Sequence, residues 1–345
     1  MKAVFFKEHG SIDVLQYGEV QDAKLVKDDT ALVKVRAVAL NRLDIWVREG
    51  WEGLMLSMPH ITGSDIAGEV VEVKGRYSDF KKGDEVVVFP GYTVGEDRFT
   101  REGEESLSPH YKIIGEDCWG GLAQYVVVPL RSLIRKPSWL SWEESAASLL
   151  VGVTCWRMLF KRAKVKPYHT VLVVGAGGGV NSLSIQLCKA IGCRVVALAG
   201  GEEKEKKALE LGADEAINYK KELRWHNLVL KLTKGEGADI VIDNVGAATF
   251  SQSIKSAARG GVIVTVGNTS GWKLEIDNRY IFVKQLSIVG STMGSKQDLI
   301  NFLSFQEQHK IKPVIDKVFQ LKDGIEAVRY LEEGKNFGKV VLKVN

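Results

Sequence analysis

Between residues 31 and 38 small or apolar side chains alternate with charged ones (Ala31-Leu32-Val33-Lys34-Val35-Arg36-Ala37-Val38), the period-2 pattern of a half-buried strand. Asp65 to Val73 and Asp84 to Phe89 read as further strands, with Lys82-Gly83-Asp84 supplying a turn, and Gln124 to Val128 is a β-branched segment closed by Pro129. Short strands separated by turn signals predict a compact, barrel-like β domain over residues 1–150. The polar stretch between Gly91 and Gly120 is too long for an ordinary connection and reads as a lobe.

Near residue 140 the pattern changes. Ser141-Trp142-Glu143-Glu144 is a capping box and predicts a helix start. Strands are then expected at 170–175, 194–199, 238–243, 261–267 and 286–290, with helices at 180–191, 202–211, 223–233 and 250–258 between them. Strand and helix alternating at this pitch predict a parallel sheet covered on both faces, over residues 151–291. Residues 292–345 return to mixed structure, with helices at 296–309 and 324–333 and strands at 314–319 and 339–344.

Composition narrows the class. The chain has 345 residues, 45% of them apolar, which suits a folded protein of two domains and excludes a largely disordered one. Its 47 Lys+Arg against 43 Asp+Glu leave no basic excess of the kind that nucleic-acid binding needs. No apolar run reaches the roughly 18 residues of a membrane span, and Met1 to Glu8 lacks the apolar core of a signal peptide. Cys118, Cys155, Cys188 and Cys193 are scattered, as reduced thiols of a cytoplasmic protein would be.

The chemistry begins at Gly175-Ala176-Gly177-Gly178-Gly179-Val180, between a predicted strand and a predicted helix. Glycines there let the backbone turn sharply and approach a pyrophosphate, which the amides of the helix N-terminus then face. Gly177, Gly178, Gly179 and Val180 are therefore cofactor candidates. A site for NAD usually carries an acidic residue at the end of the second strand. Here that strand ends in Leu198-Ala199-Gly200-Gly201, with Lys204 just beyond and Tyr219 on the following segment. Without that acid a 2′-phosphate meets no repulsion at the strand end; Glu202 and Glu203 argue the other way but also suit the first turn of a helix, so NADPH is favoured and NADH is the alternative. Asn244, Val245 and Gly267 fall at carboxyl ends of sheet strands, where the nicotinamide half belongs. Gly200 and Thr154 complete the cofactor set.

Over its full length the chain resembles the medium-chain dehydrogenase/reductase superfamily. The matching segments are Asn41-Arg42-Leu43-Asp44, Gly63-Ser64-Asp65-Ile66-Ala67-Gly68, Lys82-Gly83-Asp84, Gly120-Gly121-Leu122, the glycine turn, Asp243-Asn244-Val245-Gly246 and Phe337-Gly338-Lys339-Val340-Val341. The resemblance implies a GroES-like β-barrel catalytic domain joined to a Rossmann doubly wound parallel sheet, an α/β protein to which the tail returns. Zinc alcohol dehydrogenases of that superfamily carry Cys where Asn41 stands, His where Ser64 stands, and a third ligand near Leu149-Leu150. Their structural-zinc cysteines fall near Val94, Asp97, Thr100 and Ser108 here. The chain is therefore expected to hold no zinc.

What remains resembles the zinc-free branch, similar to NADPH:quinone oxidoreductases and enoyl reductases. The implied reaction is hydride transfer from NADPH to a quinone, enone or related conjugated carbonyl. An alcohol or aldehyde dehydrogenase, and a cofactor-binding protein with little turnover, are the alternatives. In that branch Asn41, Asp44 and Trp46 line the catalytic site. Asn41 would bond a carbonyl oxygen, Asp44 would orient the loop or Arg48, and Trp46 with Trp51 would wall a planar acceptor. Lys339 could reach the cleft from the returning tail, but a surface position is the expectation, and His60 is left outside the site. The apolar strand 286–290 would be a sheet edge that a second subunit covers, giving a homodimer or homotetramer.

Overall fold

The computed structural model describes residues 1–75 and 78–345. The chain forms two compact units, one of residues 1–153, 294–303 and 312–345, the other of residues 154–293 and 304–311.

The first unit is built on a sheet in the order Ile315–Gln320, Lys339–Lys343, Thr30–Ala39, Asp65–Lys74, Glu85–Val88, Leu133–Arg135, with Tyr125–Pro129 also pairing Thr30–Ala39. Along Thr30–Ala39 the alternation behaves as the sequence predicts: Ala31, Val33, Val35 and Ala37 are buried, while the residues between them are half-buried. Register shifts at Leu32/Val33 and Val35/Ala37 mark irregularities that bend this strand. Its core combines Val33, Val35, Ile66, Val86, Val88, Val126 and Val128 with Val340 and Leu342 of the returning tail.

One helix of this unit is absent from the sequence reading. Arg42–Glu49 follows directly on the strand Thr30–Ala39, with Asn41 as its N-cap and the Asp44 carboxylate returning to the Asn41 backbone N–H at 2.7 Å. The expected capping box at Ser141 is present: Ser141 N–H donates to Glu144 Oε2 at 2.9 Å and Glu144 N–H to Ser141 Oγ at 3.1 Å.

The second unit carries a six-stranded parallel sheet in the order Glu215–Asn218, Arg194–Ala199, Thr170–Val174, Ala238–Asp243, Ala257–Thr265, Ser287–Gly290. Thr170–Val174 lies at the centre, and the chain leaves it first to one side and then to the other. That reversal is the switch point at which doubly wound sheets bind ligands, outside the carboxyl ends of the strands. Trp225, Phe250 and Ile254 pack with Leu172, Val196, Leu198, Val241 and Ile263 to form a core of this unit. The helix expected to run to residue 258 stops at Ser256, and the next strand begins at Ala257 rather than at Gly261. Among the described residues no helix is long and apolar enough to cross a membrane.

Candidate active site

In the first unit the ends of three neighbouring strands bring together residues far apart in sequence. Thr30–Ala39 is flanked by Asp65–Lys74, with Ala39 opposite Asp65, and by Lys339–Lys343, with Leu40 N–H donating to Val340 O at 2.9 Å. Asn41, Asp65 and Lys339 therefore meet at one end of the sheet. Lys339 Nζ donates to Asn41 Oδ1 at 2.5 Å and to Asp65 Oδ2 at 2.9 Å, and Asn41 Nδ2 donates to the same Asp65 oxygen at 2.9 Å. The other Asp65 oxygen accepts Leu150 N–H at 2.6 Å. All three side chains are buried, and Lys339 is only 4% exposed, which corrects the expectation of a surface lysine. The burial is tolerable because ammonium and carboxylate face each other and hydrogen bonds take up their polar atoms.

The amide of Asn41 has one orientation in this setting. An ammonium can only donate and a carboxylate accepts, so the oxygen faces Lys339 and the nitrogen faces Asp65. The other neighbour of Asn41 Nδ2 is Ala39 O at 3.5 Å, too far for a firm hydrogen bond. One amide N–H is thus left without a strong partner among the described residues.

Asp44 braces the same loop. Its carboxylate accepts Asn41 N–H and Gly63 N–H, each at 2.7 Å, while burial pushes its pKa up from 3.8 to about 6. Gly63 has φ of +100°, and a Cβ there would lie 2.9 Å from Leu122 N, so only glycine fits. Asp44 does not act through Arg48, contrary to one role expected of it. The buried Arg48 guanidinium instead grips Glu332 through two bonds of 2.9 and 3.1 Å and donates to Gly10 O at 3.1 Å. Trp46 and Trp51 are 36% and 45% exposed, so part of each indole is open to solvent. His60 is buried against Gly115 O at 3.2 Å, and burial holds its pKa down, as suits a structural residue.

The second unit places the glycine turn as expected, between the strand Thr170–Val174 and the helix Gly179–Ala190, with Gly178 as N-cap. Gly175 has φ of +84°, and the amides of Gly175 and Ala176 both reach back to Leu198 O. Gly177 to Val180 lie at the entrance of that helix. The sequence reading missed Asn181, which holds the turn: its Nδ2 donates to Val174 O at 2.6 Å and Gly175 O at 2.9 Å. Asn181 Oδ1 accepts from Asn244 Nδ2 at 2.8 Å, and Asn244 Oδ1 accepts Val266 N–H at 2.9 Å. Asn244 thereby ties the turn to the carboxyl ends of two further strands, beside Val245 and Gly267.

At the end of the second strand, Tyr219 lies over Gly200, where a Cβ would fall 2.3 Å from its hydroxyl. Lys204 sits on the helix Glu202–Glu210. The acids at the start of that helix are engaged by lysines, Glu202 by Lys221 at 2.6 Å and Glu203 by Lys207 at 2.8 Å. Thr154 is buried, and its hydroxyl has no partner among the described residues.

The donor set does not fit a zinc ion. Asn41 and Ser64 are neutral donors, Leu149 and Leu150 offer no side-chain ligand, and the Asp65 carboxylate is engaged by three donors, one of them cationic. In the lobe, three of the four positions matched to structural cysteines bond to one another instead. Asp97 accepts Thr100 N–H at 2.9 Å and Ser108 Oγ–H at 2.7 Å, while Val94 is exposed.

Comparison with known proteins agrees with this architecture. The family "Alcohol dehydrogenase GroES-like domain" matches residues 27–138, and "Zinc-binding dehydrogenase" matches residues 179–308. An NAD-dependent alcohol dehydrogenase of Sulfolobus acidocaldarius is 33% identical over 94% of this chain and 95% of its own. A quinone oxidoreductase of Pongo abelii is 29% identical over 99% of this chain and 97% of its own. A solved structure of an NAD-dependent alcohol dehydrogenase superposes over the whole of both chains with a TM-score of 0.96 at 42% identity. The chain belongs to the medium-chain dehydrogenase/reductase superfamily. It is an NAD(P)H-dependent oxidoreductase, with a GroES-like domain and a Rossmann-like parallel-sheet domain.

Proposed function

We propose that this oxidoreductase reduces a quinone, enone or related conjugated carbonyl with NADPH, without zinc. The observation that carries the reading is the closed network of Asn41, Asp65 and Lys339, which fills with an ammonium and an amide the place where zinc-dependent relatives need metal ligands. A bound dihydronicotinamide supplies the hydride. The chain's own residues would hold the acceptor: the N–H of Asn41 that reaches Ala39 O only weakly would bond its oxygen as negative charge develops, and Trp46 would offer a flat apolar wall. Asp44 keeps Asn41 and Gly63 in place.

For the cofactor, Gly177, Gly178, Gly179 and Val180 would cradle the pyrophosphate, and Thr154, Asn244, Val245 and Gly267 would bound the nicotinamide half. Gly200, Lys204 and Tyr219 would take the 2′-phosphate, where Glu202 and Glu203 are already paired with Lys221 and Lys207. The strand Ser287–Gly290 pairs only with Ala257–Thr265 among the described residues, and Ile288 is exposed. That edge supports a homodimer or homotetramer, which sedimentation would report and a monomer at working concentration would refute. The four cysteines are free, in keeping with a cytoplasmic protein.

An alcohol or aldehyde dehydrogenase is the second reading, favoured by the names of two of the relatives above. Oxidation of NADPH and NADH, measured side by side on metal-stripped protein with quinones, enones and simple aldehydes, separates the two. Turnover confined to aldehydes would favour the second reading, and binding of NADPH with no turnover would leave a cofactor-holding protein.

A further inference from the structure

We propose that Lys339 is a positioning residue of this site and that its ammonium acts through Asn41. Three observations meet in it. The ammonium is buried, its contacts are with Asn41 Oδ1 at 2.5 Å and Asp65 Oδ2 at 2.9 Å, and it comes from the last strand of the chain. Ordering a lysine in the interior costs desolvation and side-chain entropy, and a hydrophobic residue would pack that strand at least as well.

The contact does two things that packing alone would not. It fixes which end of the Asn41 amide is oxygen, because turning the amide over would put an NH2 against an ammonium and an oxygen against the Asp65 carboxylate. It also polarises the amide, since a charged donor on the oxygen draws electron density from the nitrogen and makes the remaining N–H a stronger donor. Asp65 balances the charge and is itself held by Leu150 N–H at 2.6 Å. The result is a neutral donor aimed by a buried cation.

This inference rests on the proposed reduction, and its test separates the two. In Lys339→Met, kcat with a conjugated carbonyl is expected to fall about 10–100-fold while KM for NADPH stays unchanged. Lys339→Arg restores most of the loss because the charge returns. In an Asn41→Ala background the same Lys339→Met change costs nothing further in kcat, as expected of residues that act as a unit. The side-chain amide resonances of Asn41 give a readout independent of turnover: shifted in Lys339→Met and returned toward their original positions in Lys339→Arg.

Equal losses with and without Asn41 would overturn the inference, as would unchanged Asn41 amide resonances. If the unaltered protein reduces no acceptor at all, the proposed function falls, and the Asn41 amide resonances still decide the role of Lys339.

Discussion

The carboxylate of Asp44 accepts the backbone N–H of Gly63 at 2.7 Å and so clamps the start of the helix Arg42–Glu49 to the loop that leads into Asp65. Both of its oxygens serve backbone amides, and its own surroundings are dry. This one side chain therefore links the acid–base behaviour of the site to its geometry.

An acid limb follows from it. Below about pH 6 the Asp44 carboxyl is protonated and one oxygen ceases to be a good acceptor, which loosens Asn41 or Gly63. The proposed reductase activity is expected to fall as kcat/KM is followed down through pH 6, and Asp44→Asn is expected to remove that limb while lowering activity throughout.

Stability responds in the opposite sense. The folded pKa of about 6 lies above the unfolded value of 3.8, so this group's contribution is fully present below pH 4 and is lost as pH rises through 6. The loss is about 3 kcal/mol. Denaturant midpoints of the unaltered protein and Asp44→Asn, measured from pH 4 to 7, are expected to show the former losing stability relative to the latter across that window. Parallel profiles would contradict it.

Gly63→Ala puts a methyl group 2.9 Å from Leu122 N at a φ of +100°. A loss of about 2–4 kcal/mol is expected, because strain and overlap add at one residue. Thermal denaturation checks this, and a shift in melting temperature below one degree would contradict it.

Glu332→Ala leaves the Arg48 guanidinium buried, with the half-exposed Glu49 at 3.2 Å as its remaining carboxylate. Glu332 is itself half-exposed and Arg48 keeps Gly10 O as an acceptor, so the cost is about 1–2 kcal/mol, below that of a fully buried pair, and the loss is expected in urea denaturation with NADPH affinity unchanged.

Lys204→Ala tests the cofactor reading. It is expected to raise KM for NADPH about 10-fold and to leave KM for NADH unaltered, since only the former brings a 2′-phosphate. Equal effects on both cofactors would remove Lys204 from that role.

Local pattern made much of the architecture legible before any coordinates. The alternation at 31–38, the capping box at Ser141 and the glycine turn after Val174 each appear where expected, because each is decided by neighbours in sequence. Lys339 was legible only as a residue that could reach the cleft, not as a buried one. Its partners Asn41 and Asp65 lie 298 and 274 residues away, and a single lysine ahead of Val340-Val341-Leu342 gives no sign of facing inward. Asn181 was hidden for another reason, since an asparagine in the first turn of a helix looks like an ordinary polar position until the carbonyls of Val174 and Gly175 are seen to need a donor. The helix Arg42–Glu49 went unread because a β-rich neighbourhood outweighed its own short signal.

The most direct test of the account is steady-state NADPH oxidation with a quinone or enone by protein dialysed against a strong chelator, with metal content determined on the same sample. Undiminished turnover with far less than one metal ion per chain is the expected result. Loss of turnover on chelation, restored by one equivalent of Zn²⁺, would contradict it.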